Sequence, residues 1–261
     1  MGEAFSLCSS FARNGKGKGK LMESIAKLFE KEEYYHAFQP ICNLPGKNRL
    51  GYEALLRSKK AVHPEGLFQT AKEKNKLLEL DTRSLYYALL AFFHSPDRCN
   101  NELLFVNIFP STIVEDSFPD FIQEITCDFE PFLDHIVLEI NESIMEGKIW
   151  NEPIFLQRIA DLRQIGFLIA LDDVGEGTTT FRKILEIAPD FIKIDRFFSQ
   201  NLSDSQEKQK VVRLFVEFCR DDSQLILEGV EEEEDYACAA MIGVAIGQGY
   251  LFGKPGRLLG E

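Results

Sequence analysis

Short apolar segments alternate with segments of helical periodicity along almost the whole chain. The short segments have the length of strands and end at glycine or polar residues, whereas the longer ones repeat apolar residues at helical spacing. The predicted strands are 36–41, 50–55, 103–107, 136–140, 167–171, 191–194, 225–227 and 244–250. The predicted helices between them are 67–93, 118–129, 152–165, 181–187, 207–220 and 233–242. This alternation is typical of a parallel α/β fold.

About eight strands in roughly 240 residues favour a closed barrel over an open sheet. We therefore predict an α/β fold, a (β/α)8 TIM-like barrel. Two strands precede the first long helix and flank a turn at Pro45-Gly46, so one strand should depart from the all-parallel order. Helix 152–165 is expected to have Asn151 as its cap, Pro153 in its first turn and Gly166 after its end.

The segment from Asn14 to Lys20 alternates glycine and lysine and cannot contribute to a core. Residues 1–20 are therefore predicted to form a flexible tail, and 21–261 a single barrel domain. The barrel domain should open with a helix, because Leu21, Ile25 and Leu28 recur at helical spacing.

The composition restricts partners and location. A formal net charge of -13 argues against polymeric nucleic acid as a partner, although metal ions could still mediate binding of a small anion. No apolar stretch reaches the roughly 18 residues that would span a bilayer, so no membrane span is expected. The six cysteines include no Cys-x-x-Cys pair, which indicates reduced thiols in a cytoplasmic protein.

The apolar run 167–171 ends in two adjacent carboxylates, Asp172 and Asp173. A strand buried on both faces has no packing use for acids at its end, and adjacent carboxylates repel unless a cation lies between them. These two carboxylates are therefore a candidate metal site at the end of the strand. The alternative interpretation is a helix cap followed by a turn residue, since aspartate favours both positions.

The other predicted strands end in the same way. Their polar residues are Glu53, Asn107, Glu139, Asp172 with Asp173, Lys193 with Asp195, Glu228 and Gln248. In a barrel these ends converge on the face that carries active sites. Carboxylate and amide oxygens suit Mg²⁺ or Mn²⁺, so the pattern predicts metal-assisted hydrolysis of a phosphate ester. Taken singly, each residue also has a structural explanation, such as an ion pair between Lys193 and Asp195.

At these positions the chain resembles the EAL domain family, the cyclic di-GMP phosphodiesterases of bacterial signalling. Glu53-Ala54-Leu55, followed by Leu56 and Arg57, is similar to the signature of that family. The resemblance covers nearly the whole chain after the tail. The other segments that carry it are 38–41, 105–107, 138–142, 172–177, 191–196, 227–231 and 248–252.

The resemblance implies a role for each matching residue. The implied ligands of two Mg²⁺ or Mn²⁺ ions are Glu53, Asn107, Glu139, Asp172, Asp173 and Asp195, with Asp172 bridging the two ions. Lys193 and Glu228 match the pair that positions and deprotonates the attacking water. The implied substrate-binding residues are Gln39, Arg57, Glu231 and Gln248. Glu142 matches a glutamate that steadies the loop after Asp173, a loop that in this family couples homodimer formation to metal binding.

The resemblance implies hydrolysis of cyclic di-GMP to linear pGpG. Four departures from the usual family residues stand near the site, namely Phe109, Val174, Thr178 and Glu232. One alternative is therefore a catalytically silent cyclic di-GMP receptor or protein-interaction scaffold with the same fold. Another is a barrel phosphodiesterase for a different diester, such as a glycerol phosphodiester, although the segments 53–57 and 228–231 weigh against it.

Overall fold

A computed structural model describes residues 33–59, 64–96, 98–99, 101–141, 149–175 and 180–258. Within these residues eight strands close into a barrel in sequence order. The strands are β1 (Tyr34–Asn43), β2 (Arg49–Ser58), β3 (Leu103–Ile108), β4 (Ile136–Asn141), β5 (Leu168–Val174), β6 (Phe191–Ile194), β7 (Gln224–Leu227) and β8 (Ile246–Gln248). The predictions made for residues 1–32, Glu142 and Thr178 lie outside the described residues.

The described helices follow the strands and surround the barrel. They are α1 (Pro64–Glu73), α2 (Leu77–Phe93), α3 (Pro110–Ile113), α4 (Phe118–Phe129), α5 (Pro153–Ile165), α6 (Phe181–Ile187), α7 (Gln206–Cys219) and α8 (Glu233–Met241). Short 3₁₀ segments occur at Pro45–Lys47, Glu130–His135 and Ile149–Asn151. In the described part of the chain, none of the helices has the length and apolar character needed to cross a membrane.

One strand runs against the others, which confirms the predicted barrel with a single departure from parallel order. β1 is antiparallel to both of its neighbours, β2 and β8, whereas the remaining neighbours pair in parallel. The connection between β1 and β2 is short and contains only the 3₁₀ segment Pro45–Lys47. A short connection can join antiparallel strands, while parallel strands need a long crossover, which the helices supply elsewhere.

Two local predictions were wrong. The predicted helix 67–93 is two helices, α1 and α2, separated near Asn75, which adopts a left-handed φ of 53°. Asparagine tolerates this conformation, and the apolar periodicity runs on across the break. Asn151 does not cap α5; it ends a 3₁₀ segment, and Glu152 occupies the cap position without a side-chain hydrogen bond. Gly166 ends α5 in a left-handed conformation, as predicted.

A buried apolar layer lies inside the barrel, with the half-buried Leu50, Leu103 and Leu168 packed against it. It consists of Ile41, Phe105, Val137, Ala170, Phe191, Ile226 and Ile246. Because side chains alternate along a strand, the intervening residues point outward and pack against the helices in a second, larger core. The apolar layer closes the barrel from below, so any polar group above it is shielded from water on that side.

The close approach of β2 and β3 generates a stability prediction at Gly51. A Cβ at this position would overlap with the backbone carbonyl of Leu103 and lie 2.8 Å from its carbonyl carbon. We expect Gly51→Ala to lower the free energy of unfolding by about 1–3 kcal/mol, the usual cost of overpacking. Urea denaturation followed by circular dichroism measures this.

Gly66→Ala is the matched control, because Gly66 lies in α1 with no atom within 4 Å of the added Cβ. This substitution should be neutral or stabilise the protein by up to about 1 kcal/mol through helix propensity. Equal effects of the two substitutions would contradict the close packing of β2 on β3.

Candidate active site

Eight polar side chains surround the mouth of the barrel directly above the apolar layer. They are Gln39, Glu53, Asn107, Glu139, Asp172, Lys193, Glu228 and Gln248. On β3 to β6 and β8 each polar residue stands two positions after a member of the apolar layer, and Glu228, directly after β7, follows Ile226 in the same way. On antiparallel β1, Gln39 stands two positions before Ile41. Glu53 is paired with Gln39 across β1 and β2. A period of two therefore brings to one layer the polar residues that the sequence placed at strand ends.

A single buried lysine lies at the centre of this layer. Lys193 Nζ lies 2.8 Å from Glu139 Oε1 and 2.8 Å from Glu228 Oε1. It also lies 3.1 Å from Asp172 Oδ1 and 3.5 Å from Glu53 Oε2. An ammonium has three N–H bonds and one positive charge, so it cannot satisfy four carboxylates. The layer keeps an excess of negative charge after this ion pairing.

The pKa values of these groups reflect that excess. Burial raises the pKa of Glu139 well above its ordinary value, although Lys193 acts in the opposite direction. Burial, aided by the neighbouring carboxylates Asp172 and Glu53, raises the pKa of Glu228 to about 8. For Lys193 burial would lower the pKa, but the surrounding carboxylates outweigh it and the pKa lies well above the ordinary value. Lys193 is therefore charged, and further positive charge would stabilise its partners.

Side-chain amides connect the carboxylates to one another. Asn107 Nδ2 donates to Glu53 Oε1 and to Glu139 Oε2, each at 3.3 Å. Gln248 Nε2 donates to Glu53 Oε2 at 2.6 Å and to Gln39 Oε1 at 3.4 Å. These bonds fix the orientation of Glu53, whose two oxygens accept hydrogen bonds from amides on β3 and on β8.

An irregularity in β5 brings both adjacent aspartates to the mouth. Asp172 and Asp173 on β5 both lie near Lys193 on the adjacent strand β6, because the register between β5 and β6 shifts by one residue at this point. Asp173 adopts a left-handed φ of 54°. In a regular strand consecutive side chains point to opposite faces, so the bulge allows the second carboxylate to join the first.

Asn141 was not assigned a role from the sequence, and the structure places it in the site. Its Nδ2 donates to Asp173 Oδ2 at 2.7 Å and thereby holds the bulged aspartate. Asn141 stands two residues after Glu139 on β4, so strand periodicity could have placed it on the same face. Its partner could not have been predicted, because the contact depends on the bulge.

The residues fit a divalent cation. Carboxylate oxygens of Asp172, Asp173 and Glu228 lie within 4.8 Å of one another. Glu139 Oε1 and Asp172 Oδ1 are buried, and their partner is the Lys193 ammonium, which they share with two further carboxylates. Carboxylate oxygens are hard ligands, and a buried set with excess negative charge matches the requirements of Mg²⁺ or Mn²⁺.

Other predicted residues lie at the margin of the layer or beyond it. Asp195 accepts a hydrogen bond from the Phe197 amide at 2.8 Å. Burial first, then Asp172 and to a smaller extent Asp195, raise the pKa of Asp173 to about 6, so Asp195 lies near the cluster. Arg57 is half-buried and donates to the Leu56 carbonyl at 3.0 Å. Glu231 is exposed.

A cavity of about 440 Å³ opens beside the carboxylates, between β2, β3, α1 and α2. Glu53 and Asn107 belong to both the polar layer and the lining of this cavity, so the two spaces are continuous. Arg57 lines it as well. The volume lies within the usual range for small-molecule sites.

The chain is similar in sequence to curated proteins of Escherichia coli. The chain is 24% identical over 252 residues to the cyclic di-GMP phosphodiesterase PdeF of Escherichia coli K12. The aligned region covers 95% of this chain and 33% of PdeF. It is 29% identical over 243 residues to the probable cyclic di-GMP phosphodiesterase PdeI of the same organism, and the aligned region covers 90% of this chain and 30% of PdeI. The chain thus spans about a third of the length of these curated relatives.

A solved structure shows the same fold. The complex of Klebsiella pneumoniae BlrP1 with manganese and cyclic di-GMP superposes with a TM-score of 0.75 at 25% identity, covering 86% of this chain and 56% of BlrP1. The family model for the EAL domain matches residues 22–255, nearly the whole chain. The resemblance found in the sequence is thereby confirmed, and the chain belongs to the EAL domain family.

Proposed function

We propose that this protein is a phosphodiesterase that hydrolyses cyclic di-GMP to linear pGpG with two Mg²⁺ or Mn²⁺ ions. The observation that carries the proposal is the buried layer of oxygen ligands around Lys193, which leaves unsatisfied negative charge at the mouth of the barrel. Relatives named as cyclic di-GMP phosphodiesterases, and a related structure with manganese and cyclic di-GMP, support the choice of substrate and metal.

In this proposal the ligands divide between two ions. Glu53, Asn107, Glu139 and Asp172 would hold the first ion, and Asp172, Asp173 and Asp195 would hold the second. When bound, the ions neutralise charge on the phosphodiester and make a water molecule more acidic. Asn141 holds Asp173 in position, and the amide of Gln248 orients Glu53.

The reaction needs a base for the attacking water. Glu228 is suited to this role because its carboxylate lies 2.8 Å from Lys193 and remains 17% exposed toward the mouth. The positive charge of bound ions would lower its raised pKa, so that the charged carboxylate could accept a proton. The water oxygen forms a bond to phosphorus as its proton passes to Glu228, and the bond from phosphorus to the 3′ oxygen breaks. The 3′ oxygen takes up a proton, which gives a 5′-phosphate and a 3′-hydroxyl. Lys193 holds Glu228 in place and stabilises its charged form.

Two alternatives predict different behaviour. A silent receptor would bind cyclic di-GMP without turnover, and the residues that depart from the family pattern favour that reading. Val174 is one of them, yet it is buried and packs in the larger core between the strands and the helices, so its side chain is firmly packed. A barrel enzyme for another diester would cleave a glycerol phosphodiester in preference to cyclic di-GMP.

Exposed apolar side chains on α6 and α7 support the proposed homodimer. Phe181, Leu185 and Leu214 are 47%, 69% and 57% exposed. α6 is the first described helix after β5, and the sequence predicted self-association through the segment that follows Asp173. α7 packs against α6, since the ring centroids of Phe181 and Phe215 are 6.0 Å apart. Clustered exposed apolar groups are typical of an interaction surface. The cytoplasmic location stays a prediction.

The first test is an assay of the purified protein with Mg²⁺ or Mn²⁺ and cyclic di-GMP, with pGpG followed by chromatography. Wild-type protein should release pGpG, and Asp172→Asn should abolish turnover and weaken Mn²⁺ binding at least about tenfold, because it removes a buried charge shared by both ions. Asp134→Asn is the control, since Asp134 is exposed at the opposite end of β4. Binding without turnover would establish the silent receptor, and preferential cleavage of a glycerol phosphodiester the other enzyme.

The second test separates catalysis from binding. Glu228→Gln should lower turnover by about 10²–10⁴, the usual contribution of a positioned base, because glutamine cannot accept the proton. The dissociation constant for cyclic di-GMP should change little. Equilibrium dialysis and steady-state kinetics measure both, with the exposed Glu217→Gln as control. Loss of binding in Glu228→Gln would make Glu228 a ligand-holding residue and leave the base unassigned.

The third test addresses the dimer. Leu185→Glu should raise the dimer dissociation constant about tenfold or more, since it places a charge in an apolar contact. Analytical ultracentrifugation over a concentration series measures this. Met241→Glu is the matched control, because Met241 is 79% exposed on α8. A dimer that withstands Leu185→Glu, or a wild-type protein that stays monomeric, would exclude this surface as the interface.

A further inference from the structure

The chain segment 195–199, directly after β6, is packed between the segments that follow β5 and β7. Gly175 directly follows β5, and a Cβ added to it would lie 2.6 Å from Phe198 Cε2. Gly229 stands two residues after β7, and a Cβ added to it would lie 2.3 Å from Arg196 Cβ. Both glycines have a left-handed φ, of 108° and 66°, and no larger residue could approach so closely. Segment 195–199 is therefore held between two backbones.

The aromatic ring of Phe198 makes the contact on the β5 side. The ring is half-buried against the larger core, and its centroid lies 6.4 Å from that of Phe215 on α7. Its edge faces Gly175, because Cε2 and Cζ are the atoms nearest to the added Cβ, at 2.6 and 3.0 Å. Close-packed side chains transmit displacement to their neighbours. The ring thus fixes the spacing between α7 and the end of β5.

Hydrogen bonds tie the position of Phe198 to that of Asp195. The N–H of Phe198 donates to the Asp195 carbonyl at 3.0 Å. The N–H of Phe197 donates to Asp195 Oδ1 at 2.8 Å and orients its carboxylate. A displacement of Phe198 would therefore reach the Asp195 side chain within one turn of the chain.

The contact between Phe198 and Gly175 joins the backbones of two candidate ligands of the second ion. Asp173 stands two residues before Gly175 on the bulge of β5, and Asp195 stands three residues before Phe198. Asp195 is one of the causes that raise the pKa of Asp173, so the two carboxylates lie near each other. The ligands that the proposed function gives to the first ion alone lie on β2, β3 and β4. They are Glu53, Asn107 and Glu139.

We propose that Phe198 is a positioning residue for the second metal ion, because its ring sets the separation of Asp173 and Asp195. The inference rests on the proposed function, since it takes these two carboxylates to share an ion. Phe198 contacts neither the ion nor the substrate in this proposal and acts through the two backbones. A smaller side chain would leave space beside Gly175, and the two carboxylates would lose the separation that suits one ion.

The test is Mn²⁺ binding to Phe198→Leu in the absence of nucleotide. The dissociation constant of one of the two ions should rise about tenfold, within the usual range for residues that hold metal ligands, while that of the other ion stays unchanged. Asp195→Asn, which removes a ligand of the second ion, should weaken the same ion. Electron paramagnetic resonance measures free Mn²⁺ during the titration. It also detects the spin coupling of two adjacent Mn²⁺ ions, which Phe198→Leu should reduce.

A second pair of variants perturbs the same contact from the other side. Gly175→Ala places a methyl group against the ring edge and a non-glycine residue at a left-handed φ, so it should also weaken the second ion. Adding Phe198→Leu to Gly175→Ala removes the overlap but not the backbone strain. The double variant should therefore regain part of the Mn²⁺ affinity that Gly175→Ala loses.

Two control substitutions remove a ring elsewhere. Phe197→Leu changes the neighbouring ring, which is 60% exposed, and leaves the hydrogen bond from its backbone to Asp195 in place. Phe218→Leu removes a half-buried ring that packs against the same core and contacts Phe181 on α6. Both variants should bind two Mn²⁺ ions with wild-type affinity.

The outcomes distinguish the inference from the proposed function. Weaker binding of one ion in Phe198→Leu, with both controls unchanged, would support the positioning role. Unchanged binding in Phe198→Leu, equal weakening of both ions, or the same loss in Phe218→Leu would overturn the inference while the proposed function stands. Wild-type protein that binds fewer than two Mn²⁺ ions would overturn the two-ion assignment of the proposed function, and the inference with it.

Discussion

The ion pairing of Lys193 is the interaction on which the site depends. Its ammonium is buried at the centre of the barrel mouth, and four carboxylates lie within 3.5 Å of it. Burying charges is costly unless they are paired, and one cation cannot pair with four anions. The protein therefore folds with a concentrated negative charge above an apolar layer that excludes water from below. This arrangement favours a divalent cation and, through it, an anionic substrate that the overall charge of the chain would otherwise repel.

Two departures from regular barrel geometry shape that site. The antiparallel course of β1 brings Gln39 to the mouth from the opposite chain direction, and Gln39 there accepts a hydrogen bond from Gln248. The bulge in β5 turns two consecutive aspartates toward Lys193, where an unbroken strand would present only one. The bulge thereby adds a second carboxylate from one strand to a layer that period-two alternation would otherwise fill with one residue from each strand.

The surroundings of the site differ on its two sides. Toward α1 and α2 the mouth continues into a cavity walled by Phe68 and Phe109, with Arg57 in its lining. Beyond β5 and β6 the helices α6 and α7 expose apolar side chains. Because this cavity and this apolar surface lie in different places, a small ligand and a protein partner could bind to them independently.

Local spacing in the sequence determined the barrel and the membership of the polar layer. Alternation of strand and helix patterns predicts the fold, and each strand places its last inward residue at the mouth whatever its neighbours are. Only the tertiary structure decided which side chains meet, because those contacts depend on strand register. Hence the four carboxylates around Lys193 and the contact of Asn141 with Asp173 could not be predicted. The break at Asn75 was missed because the apolar periodicity continues across it. Asn151 was wrongly predicted to cap α5, because the cap position depends on where the backbone turns into the helix. Residues fixed by their own strand were thus predictable, whereas those whose role depends on a distant segment were not.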